Sequence, residues 1–567
     1  MPDAPVTNRD VAEALRNTAD LMALQGANAF RVNALKRAAD QVQDLEIGVA
    51  DAAHNGNLRD IKGIGKSIEA EIKTMVDTGR MPALDSLAEQ IPMGLLEVVR
   101  VTGVGPRKAR LLWEKLDINS LASLETAVQG RQLRELKGFT SRTEAALATA
   151  IRQIRERPPP EDPIGFVLPV VESVVEGLKV EGGPAVARVS VVGDLREWRA
   201  TVREPMILVE TRHPDAVGKV LTGLPQVATV GNIVTGTCRV VLHAGFELSV
   251  VMTGANRWDR LTTTLSSDGD AAEFISELVD RIEPEPVSEQ GLARVLGVPG
   301  FVPEQRHRIT KDLHRSLTPG ADLVSLADLT GELHGHSTYS DGHQSIEQMA
   351  RAAQGRGYSY WAVTDHGQGH GFGDSLDAAR LENQASEING LNALFEEEGL
   401  DFRLLKGIEA EIHADGSLGL DDDTLACLDV VVASIHGSLR QDRDTITERC
   451  LRAVANPHVD ILGHPTSRLL GRRDPSALDM EAVCRACREH GTALEINCNP
   501  ARLDLGDELA RMAARHGCLL VLNCDAHDVN HFEFIRYGLG IARRAELQPS
   551  QVLNTRPVDA VLGWFNG

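Results

Sequence analysis

Apolar residues recur at helical spacing through most of the first 157 residues. One amphipathic period runs from Val11 to Leu24, and another runs from Phe30 to Val42. The pattern breaks at Pro158-Pro159-Pro160, with Pro163 beyond it, which predicts a linker. Short β-branched runs at 187–192, 206–209, 237–242 and 246–252 then predict strands of a mixed α/β domain. Residues 271–330 return to helical spacing and end in irregular polar sequence. From Gly331 onward, apolar runs at 360–364, 403–409, 430–434, 461–463, 493–497 and 519–523 alternate with helical stretches. Strand–helix alternation of this kind predicts a parallel sheet, open or closed into a barrel.

A length of 567 residues fits two to four domains. With 42% apolar and 25% charged residues, the chain is neither disordered, collagen-like nor fibrous. It has no apolar run of the roughly 18 residues a membrane span needs. Met1-Pro2-Asp3-Ala4 does not open a secretory signal. Eight cysteines are too sparse for a disulfide framework, so a reduced, cytoplasmic protein is expected. Cys484 and Cys487 form a C-x-x-C in a helical stretch without a second pair at zinc-ribbon spacing, and they read as packing.

The net charge of −22 argues against a nucleic-acid partner until it is divided along the chain. Residues 1–157 hold 22 basic against 21 acidic side chains, and the remainder holds 37 against 60. Within 101–157 the count is 11 basic to 6 acidic, and a local basic surface is what binding requires. Three related turns lie in this region. They are Ile61-Lys62-Gly63-Ile64-Gly65-Lys66, Val101-Thr102-Gly103-Val104-Gly105-Pro106-Arg107-Lys108, and the looser Leu136-Lys137-Gly138-Phe139-Thr140-Ser141-Arg142. A Gly-x-Gly turn that opens a helix exposes backbone N–H groups at its positive end, where a phosphate oxygen can approach. Lys66, Arg107, Lys108 and Arg142 add charge beside Gly63, Gly65, Gly103, Gly105 and Gly138. One such turn could equally be a tight helix connection. Three copies with cations at matching offsets favour contacts to the DNA backbone, and they resemble helix-hairpin-helix motifs.

Thirteen of the 18 histidines lie between His334 and His531. Small clusters end successive predicted strands: His334-Gly335-His336 with Asp341, Thr364-Asp365-His366, Gly407-Ile408-Glu409, Ser434-Ile435-His436, Gly463-His464-Pro465 and Asp525-Ala526-His527. Strand C-termini of a β/α barrel converge on one face. A lone histidine on a strand is more often structural, but so many polar groups would be costly to bury without a metal. Mixed imidazoles and carboxylates suit Zn²⁺, Mn²⁺ or Fe²⁺ better than Mg²⁺. Neighbouring cations of that kind activate water and hold the oxygens of a phosphoester.

The region 331–567 resembles a PHP (polymerase and histidinol phosphatase) domain. That resemblance implies a distorted (β/α)7 barrel and a phosphoesterase site with three metals. It places the ligands at His334, His336, Asp341, His366, Glu409, His436, His464, Asp525 and His527. Asp365 is expected to orient a ligand, and Arg468, Arg472 and Arg473 either hold substrate phosphates or lie on a solvated loop. His343, His370, His413, His458 and His531 fall outside the matched positions.

The whole chain is similar to bacterial family X DNA polymerases. The resemblance implies a helical DNA-binding domain at 1–157, a nucleotidyltransferase palm at 164–258, a thumb-like region and linker at 259–328, and the PHP domain at 329–567. A family palm begins with Gly-Ser and presents three Asp residues to two Mg²⁺ ions. Here Gly193-Asp194 stands at the first position, Glu204-Pro205-Met206 at the Asp-x-Asp, and Glu247 at the third Asp. Asp194 is expected to repel a triphosphate, and the Met206 thioether cannot replace a hard carboxylate at Mg²⁺. The family's nucleotide-contacting stretch is not recognisable in residues 262–270, and Glu71 stands where a lyase lysine is expected. The sequence therefore predicts a DNA-binding, metal-dependent 3′→5′ phosphodiesterase acting on gapped or 3′-recessed ends, including ends blocked by a 3′-phosphate, with polymerisation lost. An active gap-filling polymerase, a histidinol-phosphatase-like enzyme and a non-catalytic scaffold are the alternatives. A monomer is assumed.

Overall fold

The computed structural model describes residues 6–43, 45, 48–101, 103–156, 161–265, 273–278, 289–297, 300–309, 317–369 and 375–566. The predicted linker at 158–160, residues 266–270 and His370 lie outside them. The chain divides into two compact units. The first comprises residues up to 160 together with 168–191 and 204–255, and the second comprises 161–167, 192–203 and 256–567. The palm segment read from the sequence is thus shared between units.

The first unit opens with helix Asn8–Gln25, whose Val11, Leu15, Ala19 and Met22 are buried. Thr7 and Asp10 close a reciprocal cap at its start, and Gly26 ends it in the left-handed region. Helix Ala29–Gln43 packs against it through Val32, Leu35, Ala39 and Val42. The three glycine turns then each lead from a short helix into a longer one: Leu58–Asp60 into Lys66–Thr78, Leu95–Arg100 into Pro106–Leu116, and Gln132–Glu135 into Ser141–Glu156. Ile64, Val104 and Phe139, the middle residues of the turns, are buried and pin each one to a core.

Along the rest of the chain the strands are β1 (Asp162–Pro163), β2 (Arg188–Val192), β3 (Thr201–Val202), β4 (Met206–Glu210), β5 (Val227–Val230), β6 (Thr237–Leu242) and β7 (Glu247–Thr253). The order β2-β4-β7-β6-β5 forms one sheet, with β4 and β7 parallel and Met206 opposite Ser249. Sequence patterning missed β5 and the two-residue strands, which are too short to show an alternating run.

In the second unit, β8 (Gly331–Glu332), β9 (Tyr360–Val363), β10 (Arg403–Glu411), β11 (Val430–Ser434), β12 (Ile461–Leu462), β13 (Ala493–Asn497) and β14 (Leu520–Asn523) form a seven-stranded parallel sheet in sequence order. Helices such as Ile346–Gly355, Ala378–Glu397, Arg443–Val454, Met480–His490 and Asp507–Arg515 return the chain between strands. A parallel bridge between Gly335 and Ala526 brings the two edges together, and His336 N donates to the Ala526 carbonyl at 2.8 Å. The sheet is therefore a distorted barrel, filled by Leu333, Tyr360, Leu405, Val432, Ile461 and Val521. Cys484 and Cys487 are buried in helix Met480–His490, where burial holds the Cys487 thiol far above its usual range. They pack as expected.

Two segments from earlier in the chain complete this unit. β1 pairs antiparallel with β3, and the stretch between 192 and 203 reaches helix Ile535–Arg544. Arg544 donates to the Glu197 carbonyl at 3.0 Å and to Asp507 at 2.9 Å. Burial pushes the Glu197 carboxyl up to about 8, although Arg544 and Arg199 pull it down. Its ordinary value is 4.5. Between those values the folded chain holds a proton that the unfolded chain releases, so this group's contribution to stability falls as pH rises through the window. Glu197→Gln is therefore expected to raise the thermal midpoint at pH 8 and to change it little at pH 5. Equal shifts at both pH values in scanning calorimetry would contradict this. Arg544 keeps Asp507 in the variant, so no buried charge is orphaned.

Candidate metal centre

Each parallel strand ends beside a polar side chain. His334 and His336 follow β8, with Asp341 on the next loop. His366 follows β9, Glu409 stands near the end of β10, and His436 follows β11. His464 follows β12, and Asp525 and His527 follow β14. His464 and Asp525 adopt φ of +25° and +53°, a costly backbone for such residues and one concentrated at functional sites.

The sequence-predicted residues all meet. Glu409 lies at the centre. Its carboxylate is 2.8 Å from His366 Nδ1, 3.1 Å from His464 Nε2, 3.2 Å from His436 Nε2, 3.5 Å from His334 Nε2 and 3.7 Å from His336 Nε2. Asp525 Oδ1 is 3.0 Å from His336 Nε2 and 3.6 Å from His334 Nε2. Asp341 Oδ1 is 3.3 Å from His527 Nε2, 3.6 Å from His366 Nε2 and 3.9 Å from His336 Nδ1. Three overlapping groups have one donor atom per residue within 4.8 Å of one another: His336, Asp341, His366 and His527; His334, His336 and Asp525; His366, Glu409 and His436.

The interior chemistry of this cluster is unfinished without a cation. Among the described residues, His334 Nε2, His336 Nδ1 and His464 Nδ1 are buried and make no hydrogen bond. Burial works to raise the Glu409 carboxyl, yet His436, His366 and His334 hold it well below the usual range. Burial likewise opposes Asp525, which His334, His336 and His527 hold low. The imidazoles split. Burial lowers both His334 and His336, but Glu495, Asp525 and Glu409 hold His334 well above its usual range, whereas His527 and His366 help drive His336 down to about 3. Dense nitrogen and oxygen donors with unsatisfied lone pairs fit divalent transition-metal cations.

Residues that the sequence did not single out hold the donors in place. Glu495 on β13 lies 2.7 Å from His334 Nδ1 and accepts from His464 N at 2.6 Å. Glu411 on β10 lies 2.7 Å from His436 Nδ1. Asn497 donates to Asp525 at 3.1 Å. Arg502 Nε lies 3.8 Å from Asp525 Oδ2, and its Nη1 is buried without a hydrogen-bond partner.

Asp365 is tied to the neighbouring loop. It accepts from Ser337 N and Oγ at 2.8 and 2.6 Å and from Gln384 at 2.7 Å, so it fixes the loop that leads to Asp341. Arg468 Nε and Arg473 Nε donate to the backbone carbonyls of Arg502 and Ser467 at 2.9 and 2.7 Å, and Arg472 and Arg473 are exposed. His531 lies against His527, accepting from its backbone N–H at 3.2 Å, and His343 is exposed.

In the first unit, Gly63, Gly103 and Gly138 share φ of +90°, +93° and +96°. Gly65 and Gly105 cap their helices with no side-chain bond, which leaves amide donors open. Thr140 replaces the second glycine in the third turn, and its hydroxyl accepts from Thr143 N at 3.2 Å. Lys66, Arg107 and Arg142 are exposed. Lys108 instead donates to the Gly103 carbonyl at 3.0 Å and stands over the Phe139 ring at 5.5 Å, tying the second turn to the third.

Among the palm positions, Asp194 accepts from Arg199 at 3.0 Å and Arg203 N at 2.9 Å, so its charge is matched within the chain. Glu204 accepts from Ser249 at 2.9 Å. Arg239 on β6 lies 2.9 Å from Glu247 and 3.7 Å from Glu204. Met206 opens β4 in the same sheet. Glu71 accepts from Ala83 N at 2.9 Å and caps helix Pro82–Ala88.

Comparison with known proteins adds the following. Residues 6–81 match the helix-hairpin-helix domain family and residues 332–499 match the PHP domain family. The chain is 34% identical over 574 residues to the DNA polymerase/3′-5′ exonuclease PolX of Bacillus subtilis (strain 168), covering 98% of both. It is 32% identical over 241 residues to a probable phosphatase of Thermoanaerobacter sp. (strain X514), covering 40% of this chain and 89% of that protein. The crystal structure of histidinol phosphate phosphatase from Lactococcus lactis subsp. lactis, complexed with zinc, L-histidinol and phosphate, aligns with a TM-score of 0.30 at 18% identity. That alignment covers 38% of this chain and 93% of that one.

Proposed function

The chain belongs to the PolX family of DNA polymerase/3′-5′ exonucleases, and from that membership we propose that it is a DNA-binding, metal-dependent phosphodiesterase that trims 3′ ends of gapped or 3′-recessed DNA and no longer polymerises. The observation that carries the reading is the convergence of His334, His336, Asp341, His366, Glu409, His436, His464, Asp525 and His527 at the strand ends, in a cluster where His334 Nε2, His336 Nδ1 and His464 Nδ1 are buried with no hydrogen bond among the described residues. The three overlapping groups favour three cations, of Zn, Mn or Fe rather than Mg. When bound, such cations activate water near neutral pH and neutralise charge on the phosphodiester.

The chain's own residues do the rest. Glu495 and Glu411 orient His334 and His436, and Asn497 orients Asp525. Arg502 offers an unused buried N–H group beside Asp525 to a phosphate oxygen. Open amides at Gly65 and Gly105, with Lys66, Arg107 and Arg142, supply contacts to the DNA backbone without reading bases. In the palm, a thioether at Met206 and the Arg239 guanidinium between Glu204 and Glu247 favour loss of its metals. The four segments 1–157, 164–258, 259–328 and 329–567 then act as DNA-binding, vestigial palm, thumb-like and nuclease parts of a cytoplasmic repair enzyme.

The test is a 3′-recessed duplex labelled at its 5′ end, incubated with the full chain and Mn²⁺. Products shortened stepwise from the 3′ end are expected, with shortening stopped by chelator. Release of the 5′ label alone, or degradation that survives chelation, would sink the reading.

A further inference from the structure

The loop that carries Arg502 is held from two sides. On one side, Thr466 N and Oγ1 donate to the Asp504 carboxylate at 3.0 and 2.8 Å. Leu470 N donates to the Ala501 carbonyl at 2.7 Å, and Arg468 Nε to the Arg502 carbonyl at 2.9 Å. The other side is Gly165. A Cβ built on Gly165 would stand 2.3 Å from Pro500 Cβ and 2.9 Å from Pro500 Cγ, closer than such atoms approach. Pro163 Cγ in turn lies 3.7 Å from a Cβ built on Gly471, in the loop after His464. One short segment thus abuts both loops that border the metal centre.

That segment is itself anchored. Asp162 pairs with Val202 and Pro163 with Thr201, and Ile164 N donates to the Ala200 carbonyl at 3.0 Å. Thr201 Oγ1 donates to Glu161 at 2.5 Å. Farther along, the Trp198 ring meets Tyr537 edge-on at 6.0 Å, and a Cβ on Gly540 would stand 2.6 Å from Trp198 Cβ. Residues 161–167 and 192–203 therefore form a bracket seated on helix Ile535–Arg544 at one end and on the 497–505 loop at the other.

We propose that this bracket positions the hydrolytic site, with Gly165 as the residue that lets Pro500, and through it Arg502, rest in place beside Asp525. The inference rests on the phosphodiesterase reading above. It also gives the vestigial palm a reason to persist, because two of its segments are built into the nuclease.

The experiment is Gly165→Ala in the full-length chain. Alanine in the first turn of helix Ile164–Glu181 favours the helix, so a loss of activity would not come from helix propensity. With a nitrophenyl phosphodiester and a 3′-recessed duplex as probes, kcat/KM is expected to fall about tenfold or more, as a misplaced contact of this kind costs. Hydrogen exchange in residues 497–505 should rise, while bound metal and thermal midpoint stay as in the parent. Adding Pro500→Ala should return kcat/KM to within about threefold of the parent, since it removes the atoms that clash. Parent-like turnover and exchange in Gly165→Ala overturn the proposal. So does a loss that tracks lost metal or a lower midpoint, or one that Pro500→Ala does not restore. If the unmodified chain cleaves neither probe, the phosphodiesterase reading fails instead, and exchange in 497–505 still decides whether the bracket holds the loop.

Discussion

Replacing His334 and His336 together by alanine is expected to lower hydrolysis of a 3′-recessed duplex at least about a thousandfold in Mn²⁺, the scale of losing cation stabilisation worth several kcal/mol. The two imidazoles share one donor group with Asp525, His336 also belongs to the group of Asp341, His366 and His527, and both approach Glu409 and Asp525. Removing them opens a gap beside the buried Glu409 and Asp525 and leaves Glu409 without two of the five imidazoles that approach it. Bound metal measured on the purified variant should fall in parallel. Retention of DNA should not, because the glycine turns lie in the other unit. Degradation that persists in the double variant would place the chemistry elsewhere.

Primer extension by the unmodified protein is expected to run at least about a thousandfold slower than its 3′ trimming, because a two-metal transfer site that loses a carboxylate loses most of its charge stabilisation. Two features converge on this. Met206, at the position the family resemblance gives to a palm carboxylate, offers a soft sulfur where Mg²⁺ would need a hard oxygen. Arg239 already seats a positive charge beside Glu247 and Glu204. These side chains are largely exposed, so the pairing adds little stability, and its weight lies in where the charge sits. Incubation of a gapped duplex with all four nucleotides, in Mg²⁺ and in Mn²⁺, should yield shortened strands and no elongated ones. Elongation that Glu204→Ala abolishes would restore a working polymerase.

Much of the donor cluster was legible because His366, Glu409, His436, His464, Asp525 and His527 end or follow short apolar runs, whereas His334, His336 and Asp341 were placed by the resemblance to PHP domains. Glu495 and Glu411 were not legible. Both lie on β-strands, where a single acid looks like a surface residue until its partner imidazole, on another strand's end, is located. Arg502 lies in a loop with no periodic flank, so only its distance to Asp525 marks it. The pairing of Arg239 with Glu204 and Glu247 depends on the register of β6, β7 and β4, which alternation alone does not fix. The role of Glu71 as a cap needed the later helix Pro82–Ala88 brought beside it. For the Arg468–Arg473 loop, sequence gave charge but not direction: Arg468 is tied to the Arg502 carbonyl, whereas Arg472 and Arg473 are exposed.

The barrel seam has a consequence for how activity arises during synthesis. His336 and Asp525 touch although 189 residues separate them, and the Gly335–Ala526 bridge lies between the two sets of donors. The donor groups that include Asp525 or His527 cannot form earlier, since closing so long a loop must precede those contacts. A cation held by His334, His336 and Asp525 would bind the finished barrel better than a partial one, and its binding would add to the hold between first and last strands. A nascent chain therefore emerges unable to cut nucleic acid, and gains that capacity only once its final strand has left the ribosome and locked home.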